Sequence, residues 1–294
     1  MRITLKQLEV FIAVAQEGNV TRAAGQLNIT QSATSMALAD FETQLHRKLF
    51  DRVGKRLQLN DAGRLLLPKA IDTVARASEI ETLAGSGAEI AGSLRIGASL
   101  TIGNYLMPGL IGSFMRRHPG TAMQLKVGNT RQVVQDIEQF HIDVGFIEGF
   151  CHAPEIEVVP WGEDELVVFC ASDHPLAQQA EVSEADLSAA NWILREPGSG
   201  TREIFDNAVL GKLRTINRVM ELDHTEAIIR AVEAGIGISC SSRLTLADAL
   251  ARQSLTVLHT PFLDLHRAFF MLVHRQKYHT HALEEFLAHC RQAL

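Results

Sequence analysis

The run ITQSATSMALADFETQLH, residues 29–46, decides how this chain is read. Thr30 stands where a helix N-cap hydroxyl is wanted, so the run predicts a helix whose first turn carries Gln31, Ser32, Thr34 and Ser35, all short hydrogen-bonding side chains. Just upstream, NVTRAAGQLN (19–28) reads as a short helix, and its Ala23-Ala24 pair lets a neighbouring helix come close. Before that, TLKQLEVFIAVAQEGN (4–19) places Thr4 and Gln7 in capping-box spacing. It repeats apolar residues at Leu5, Leu8, Phe11, Ile12 and Ala15 and meets a helix stop at Gly18. Two helices joined by a tight turn, the second opening on polar side chains, are the helix-turn-helix arrangement, which sets that first turn against base edges in the major groove. FDRVGKRLQLN (50–60) then predicts a two-stranded wing around Gly54, with Arg52, Lys55 and Arg56 against phosphates and Arg22 as a further basic contact.

The charge distribution agrees. The 294 residues carry a net charge of −6, yet residues 1–90 hold 11 basic and 10 acidic side chains while residues 91–294 hold 17 and 24. The stretch LHRKLFDRVGKR (45–56) has five basic residues against Asp51 alone, the one segment suited to a polyanion. The length calls for two or three domains. The opening residues hold Lys6, Glu9 and Glu17 where a signal peptide needs an apolar stretch, and no long uncharged apolar run follows, so a cytosolic protein off the membrane is expected. Cys151, Cys170, Cys240 and Cys290 form no C-x-x-C pair, which argues against a zinc site or a disulfide framework.

Residues 5–70, from LKQLEVF through the wing to GRLLLPKA, resemble element by element the N-terminal domain of LysR-type transcriptional regulators. The chain departs from many members of that family at Met36, where an arginine commonly follows the helix serine. The resemblance implies operator DNA as partner, leaves RNA polymerase open as a further one, and implies a homo-oligomer assembled as a dimer of dimers. The expected division is a winged helix-turn-helix over 1–60, a dimerisation helix and hinge over 61–91, and an effector-binding domain over 92–294.

From Asp61 the sequence is helical, with Leu66, Ala70, Thr73, Ala77, Ile80 and Ala84 at steps of three and four. That spacing predicts a coiled-coil seam against a second copy, with a kink at Pro68 and a hinge at GSGAEIAGS (85–93). Beyond Gly92, strand and helix patterns alternate. SLRIGAS, TIGNYLMPGLIGSFMRRHPG, TAMQLKVG, TRQVVQDIEQFHID and VGFIEG specify βαβ units around a mostly parallel sheet. A second block runs from DELVVFCASDHPLA to IGISCSS, and AFFMLVHRQK with the last helix crosses back onto the first. The expected fold is therefore an all-α winged head followed by a two-lobed α/β domain of periplasmic-binding-protein type. Its lobes are expected at 92–163 with 268–294, and at 164–267.

The stretch LREPGSGTREIF (194–205) has the glycines and hydroxyls of an anion cradle at a helix start, with an arginine on either side. ASLTIGN (98–104) repeats the device in the other lobe. Ser99, Leu100 and Thr101 are thus expected to meet Ser199 and Thr201 across a cleft, with Arg195 and Arg202 supplying positive charge and His224 at another helix start. This part too resembles the same regulators, including their cysteine-regulon branch. The resemblance implies hydroxyl residues around a tetrahedral oxyanion at Ser99, Thr101 and Thr201, with Glu148 in place of a hydroxyl. A carboxylate there disfavours sulfate and favours either a ligand that carries a proton, such as sulfite taken as hydrogensulfite, or a Glu148 that is itself neutral. No cofactor or metal is expected. An enzyme has little support, because PGSGT is not a G-x-S-x-G elbow. Cys151 beside His152 leaves a redox sensor as the alternative.

Overall fold

The computed structural model describes residues 3–54, 56–86 and 92–293. Lys55, most of the expected hinge and the side chain of Ala84 lie outside them. The head consists of α1 (Leu5–Glu17), α2 (Val20–Gln26) and α3 (Gln31–Gln44), followed by the hairpin β1 (Phe50–Val53) and β2 (Arg56–Leu59). Thr4 and Gln7 form the full capping box on α1, and Gly18 ends it at φ 59°, a left-handed conformation that costs glycine little. Phe11 joins the elements, its ring 5.7 Å from those of both Phe41 and Phe50. The buried carboxylate of Glu42 accepts from Leu49 N at 2.8 Å and Lys48 Nζ at 2.7 Å, fixing the turn into the wing.

Helix α4 (Asp61–Ser86) continues through Pro68 rather than ending there. The expected seam divides. Ala70 is buried and Leu66 packs against the head's own core, alongside Leu67 and Ile71, so the first half of α4 is part of the head. Thr73 and Ile80 remain exposed farther along. Steps of three and four mark an apolar face without saying which body covers it.

The remainder comprises β3 (Gly92–Ser99), α5 (Leu100–Tyr105), α6 (Met107–Arg117), β4 (Thr121–Gly128), α7 (Thr130–Glu138), β5 (Val144–Glu148), β6 (Ile156–Ala171), α8 (Glu184–Ala189) and β7 (Asn191–Arg195). It continues with α9 (Gly200–Val209), β8 (Asn217–Leu222), α10 (Thr225–Glu233), β9 (Ser239–Ser242), α11 (Ala247–Ala251), β10 (Leu255–Val257), β11 (His266–His274) and α12 (His281–Arg291). The single helix expected over 101–120 is two, because Pro108 lacks the N–H that would continue the hydrogen-bond ladder past Leu106.

As expected, β4, β3 and β5 pair in parallel, and β7 pairs in parallel with β8 in a separate two-stranded sheet. Unforeseen is that β6 and β11 run antiparallel to each other and link both lobes into one seven-stranded order, β10-β6-β11-β5-β3-β4 with β9 on β6. β6 is 16 residues long, roughly 50 Å of extended chain, and so reaches through both lobes. One core gathers Ile96, Phe114, Phe146, Trp161 and Phe286; another gathers Val168, Trp192, Leu194, Phe205 and Ile238. The lobes thus own separate cores and share two strands.

Candidate functional sites: the reading head and the inter-lobe cleft

Thr30 caps α3 by accepting from Ala33 N at 3.2 Å, which leaves Gln31, Ser32 and Ser35 exposed on the first turn. Thr34 is different. Its side chain is fully buried and donates to Thr30 O at 3.0 Å, so it holds the turn and cannot reach a base. Two residues beyond Ser32 on a 3.6-residue helix is about half a turn away, which places Thr34 on the inner face. Met36 stands 65% exposed beside the same surface. Arg52 and Arg56 are exposed on the hairpin, and Arg22 is exposed on α2 with its guanidinium donating to Glu17 O.

In the second part, the residues expected around an anion surround a guanidinium. Arg267 on β11 donates from Nη1 to Thr201 Oγ1 at 2.9 Å and from Nη2 to Thr101 Oγ1 at 3.2 Å, joining one hydroxyl from each lobe. Its Nε and Nη2 also grip Asp164 Oδ2 at 2.7 and 2.6 Å, and Glu148 Oε1 lies 3.7 Å from Nη1. Ser99 Oγ donates to Glu148 Oε2. The side chains of Arg267, Glu148 and Asp164 are at most 3% exposed, so one cation and two carboxylates share a dry centre. Burial of this kind is tolerated only with close pairing and hydrogen bonds.

The lobes meet tightly beside this centre. Thr130 Oγ1 donates to Glu148 O at 2.8 Å and accepts from Gly200 N at 3.2 Å, while Arg131 N donates to Gly198 O at 3.1 Å. Gly198 has φ 98° and Gly200 has no room for a side chain, which explains two glycines of the GSGT run.

The other expected effector residues do not converge. Ser199 caps α9 through Arg202 N at 3.4 Å. The buried Arg195 is committed to its neighbour, with Nε and Nη2 donating to Glu196 at 2.8 and 3.0 Å. Arg202 binds Asp206 and the Arg195 carbonyl. Leu100 and His224 line a cavity of about 410 Å³ together with Asn129 and Glu196. Ser199 and Arg202 line another of about 720 Å³ together with Cys151 and His152. Partial burial pushes the Cys151 thiol up, which lowers the share of reactive thiolate. Among the described residues, no His/Cys/Asp/Glu cluster could hold a metal, and no helix is long and apolar enough to cross a membrane.

Sequence reasoning missed Arg267, Asp164 and Thr130. A signal for Arg267 existed. Residues 267, 269, 271 and 273 alternate along one strand, and the last three are Phe, Met and Val, so the arginine shares their inward phase.

An exposed polar first turn on the second of two packed helices, with a basic hairpin beside it, is joined to a two-lobed domain closed over a buried polar centre. Residues 5–64 match the family model for bacterial regulatory helix-turn-helix proteins of the lysR family, and residues 87–294 match that for the LysR substrate binding domain. The chain belongs to the LysR family of transcriptional regulators. It is 47% identical over 293 residues to the uncharacterized HTH-type transcriptional regulator YeiE of Escherichia coli (strain K12), covering 100% of this chain and 99% of that protein. It is 31% identical to the HTH-type transcriptional regulator CysL of Bacillus subtilis (strain 168), over 88% of this chain and 87% of that one. A point variant of full-length OxyR from Pseudomonas aeruginosa shares its fold, with a TM-score of 0.75 at 23% identity over 99% of this chain and 95% of that one. The relatives are named regulators, and this regulator is a DNA-binding protein, not an enzyme.

Proposed function

We propose that this regulator senses a small oxyanion that carries a proton, with sulfite in its hydrogensulfite form as the candidate, at the Arg267 centre between the lobes. The carrying observation is that one buried guanidinium joins Thr101 of one lobe to Thr201 of the other beside a carboxylate. Among the described residues, neither threonine hydroxyl donates to a protein acceptor, so each has a proton to give. An anion accepting both protons and facing Arg267 spans the cleft, and Glu148 takes the ligand's own proton. With two carboxylates already present, a dianion adds charge to a dry site, whereas a protonated monoanion adds less. Binding that favours one lobe arrangement shifts the spacing of the reading heads. The heads act on operator DNA within a dimer of dimers built through α4, and contact with RNA polymerase belongs to the same reading.

Calorimetric titration of the full-length protein with sulfite, sulfate, phosphate and acetate across the neutral pH range tests it. Sulfite should bind, more tightly as the pH falls, and Thr201→Val should cost roughly 1–3 kcal/mol of affinity. Equal affinity for sulfate and sulfite at every pH, or chemical consumption of the ligand, defeats the reading.

A further inference from the structure

A separate cavity of about 330 Å³ opens where α1, α4 and the first lobe meet. Ile12, Ile71 and Val74 line it from the head and α4, and Leu94 and Leu283 line it from the lobe. It lies at the Gly92 end of β3, whereas the Arg267 centre lies beyond the Ser99 end of the same strand.

Its polar lining includes Arg95, Asp143 and Lys277. Asp143 is saturated. One carboxylate oxygen accepts from Arg95 N at 2.8 Å and Arg95 Nε at 3.3 Å, and the other from Arg95 Nη2 at 2.8 Å and Lys277 Nζ at 2.7 Å. Two cations therefore share one carboxylate. The Lys277 side chain is only 7% exposed, and among the described residues its three ammonium protons find a single protein acceptor. Glu79, which also lines the cavity, is already satisfied by Tyr278 Oη at 2.8 Å and by His281 N at 2.9 Å, in the positive first turn of α12. The lining charges balance, Arg95 and Lys277 against Asp143 and Glu79, and the ammonium donors left without a protein acceptor among the described residues belong to Lys277.

We propose that this cavity binds a small apolar monocarboxylate, its head on Lys277 and Arg95 and its body between Ile71, Val74 and Leu283. A cavity of about 150 Å³ holds benzene, so this one admits a chain or ring of roughly eight to ten carbons. Such a ligand touches the reading head, α4 and the first lobe at once. Its binding is therefore linked to how the head sits on the lobe, independently of any oxyanion in the cleft.

The test uses the full-length protein with octanoate, 1-octanol and acetate in calorimetric and thermal-shift titrations. Octanoate should bind at least about tenfold more tightly than either the uncharged chain or the bare head. Lys277→Met should remove the preference for octanoate over octanol, and Lys277→Arg should keep it. Val74→Phe fills the apolar body and should abolish octanoate binding, with the ligand-free melting temperature reporting that the fold is intact. Octanoate binding no tighter than octanol, or octanoate affinity unchanged in Lys277→Met or in Val74→Phe, overturns the proposal.

Discussion

Gly200 lies so close to Glu148 that a Cβ on the glycine would overlap the Glu148 carbonyl oxygen. The first residue of α9 in one lobe is thus pressed against the last residue of β5 in the other. Gly200→Ala should hold the lobes apart, because the obstructing atoms are backbone and cannot rotate away. Small-angle scattering should show a larger radius of gyration, and melting should report a loss of about 1–3 kcal/mol. An unchanged profile in both would mean that the closure in this structure is not the solution state.

Arg267 is the cation shared by two buried carboxylates. Arg267→Met should therefore destabilise the second part by about 3–5 kcal/mol, because Glu148 and Asp164 are left facing each other without a cation. Adding Asp164→Asn should recover much of that loss. Denaturant unfolding of the single and double variants measures the coupling, and strict additivity would remove Arg267 from its bridging role.

On α3, neighbouring hydroxyls should behave in opposite ways. Ser32→Ala should lower discrimination between operator and random duplex at unchanged stability, whereas Thr34→Ala should lower stability by about 1–2 kcal/mol because a buried, hydrogen-bonded side chain is lost. Arg52→Ala should weaken all duplexes alike and reduce the salt slope by about one. Gel-shift titrations at several salt concentrations separate the three.

Asp143 sets an acid limit. Hydrogen bonds from Arg95 and the charges of Lys277 and Arg95 outweigh its burial and hold its carboxyl at about 2. A folded-state value below the unfolded one contributes stability above pH ~4, and that contribution is lost as pH falls towards 2. It amounts to about 2 kcal/mol at neutral pH. Asp143→Asn should lower stability at pH 7 and flatten the acid limb of the melting profile.

Local chemistry made most elements legible. Thr4 with Gln7, Thr30 and the Ser199 helix start announce themselves as caps, and the alternation around Phe269 announces a strand. What pairs with what was less legible. The sheet order depends on β6 reaching across both lobes, and no short window of sequence carries that information. The site shows the same division. Ser99, Thr101, Glu148 and Thr201 stand at ends of elements and could be placed, but the guanidinium among them comes from a strand over sixty residues farther on. Thr34 faces inward because angular phase, which the composition of a helix turn does not carry, decides which of its hydroxyls reach solvent.

The two strands that cross between the lobes also restrict how the molecule can move. Asp164 pairs with Arg267, and the ladder continues on both sides, from His266 opposite Glu165 to His274 opposite Ile156. A slip of one residue would turn Arg267 out of its centre and expose Phe269 and Met271. Sliding is therefore closed to the lobes, and what remains is torsion of a two-stranded ribbon, with an irregularity already present between Phe269 and Phe270. A twist preserves every contact inside each lobe while swinging one against the other. The freedom this ribbon leaves to the two lobes is an angle.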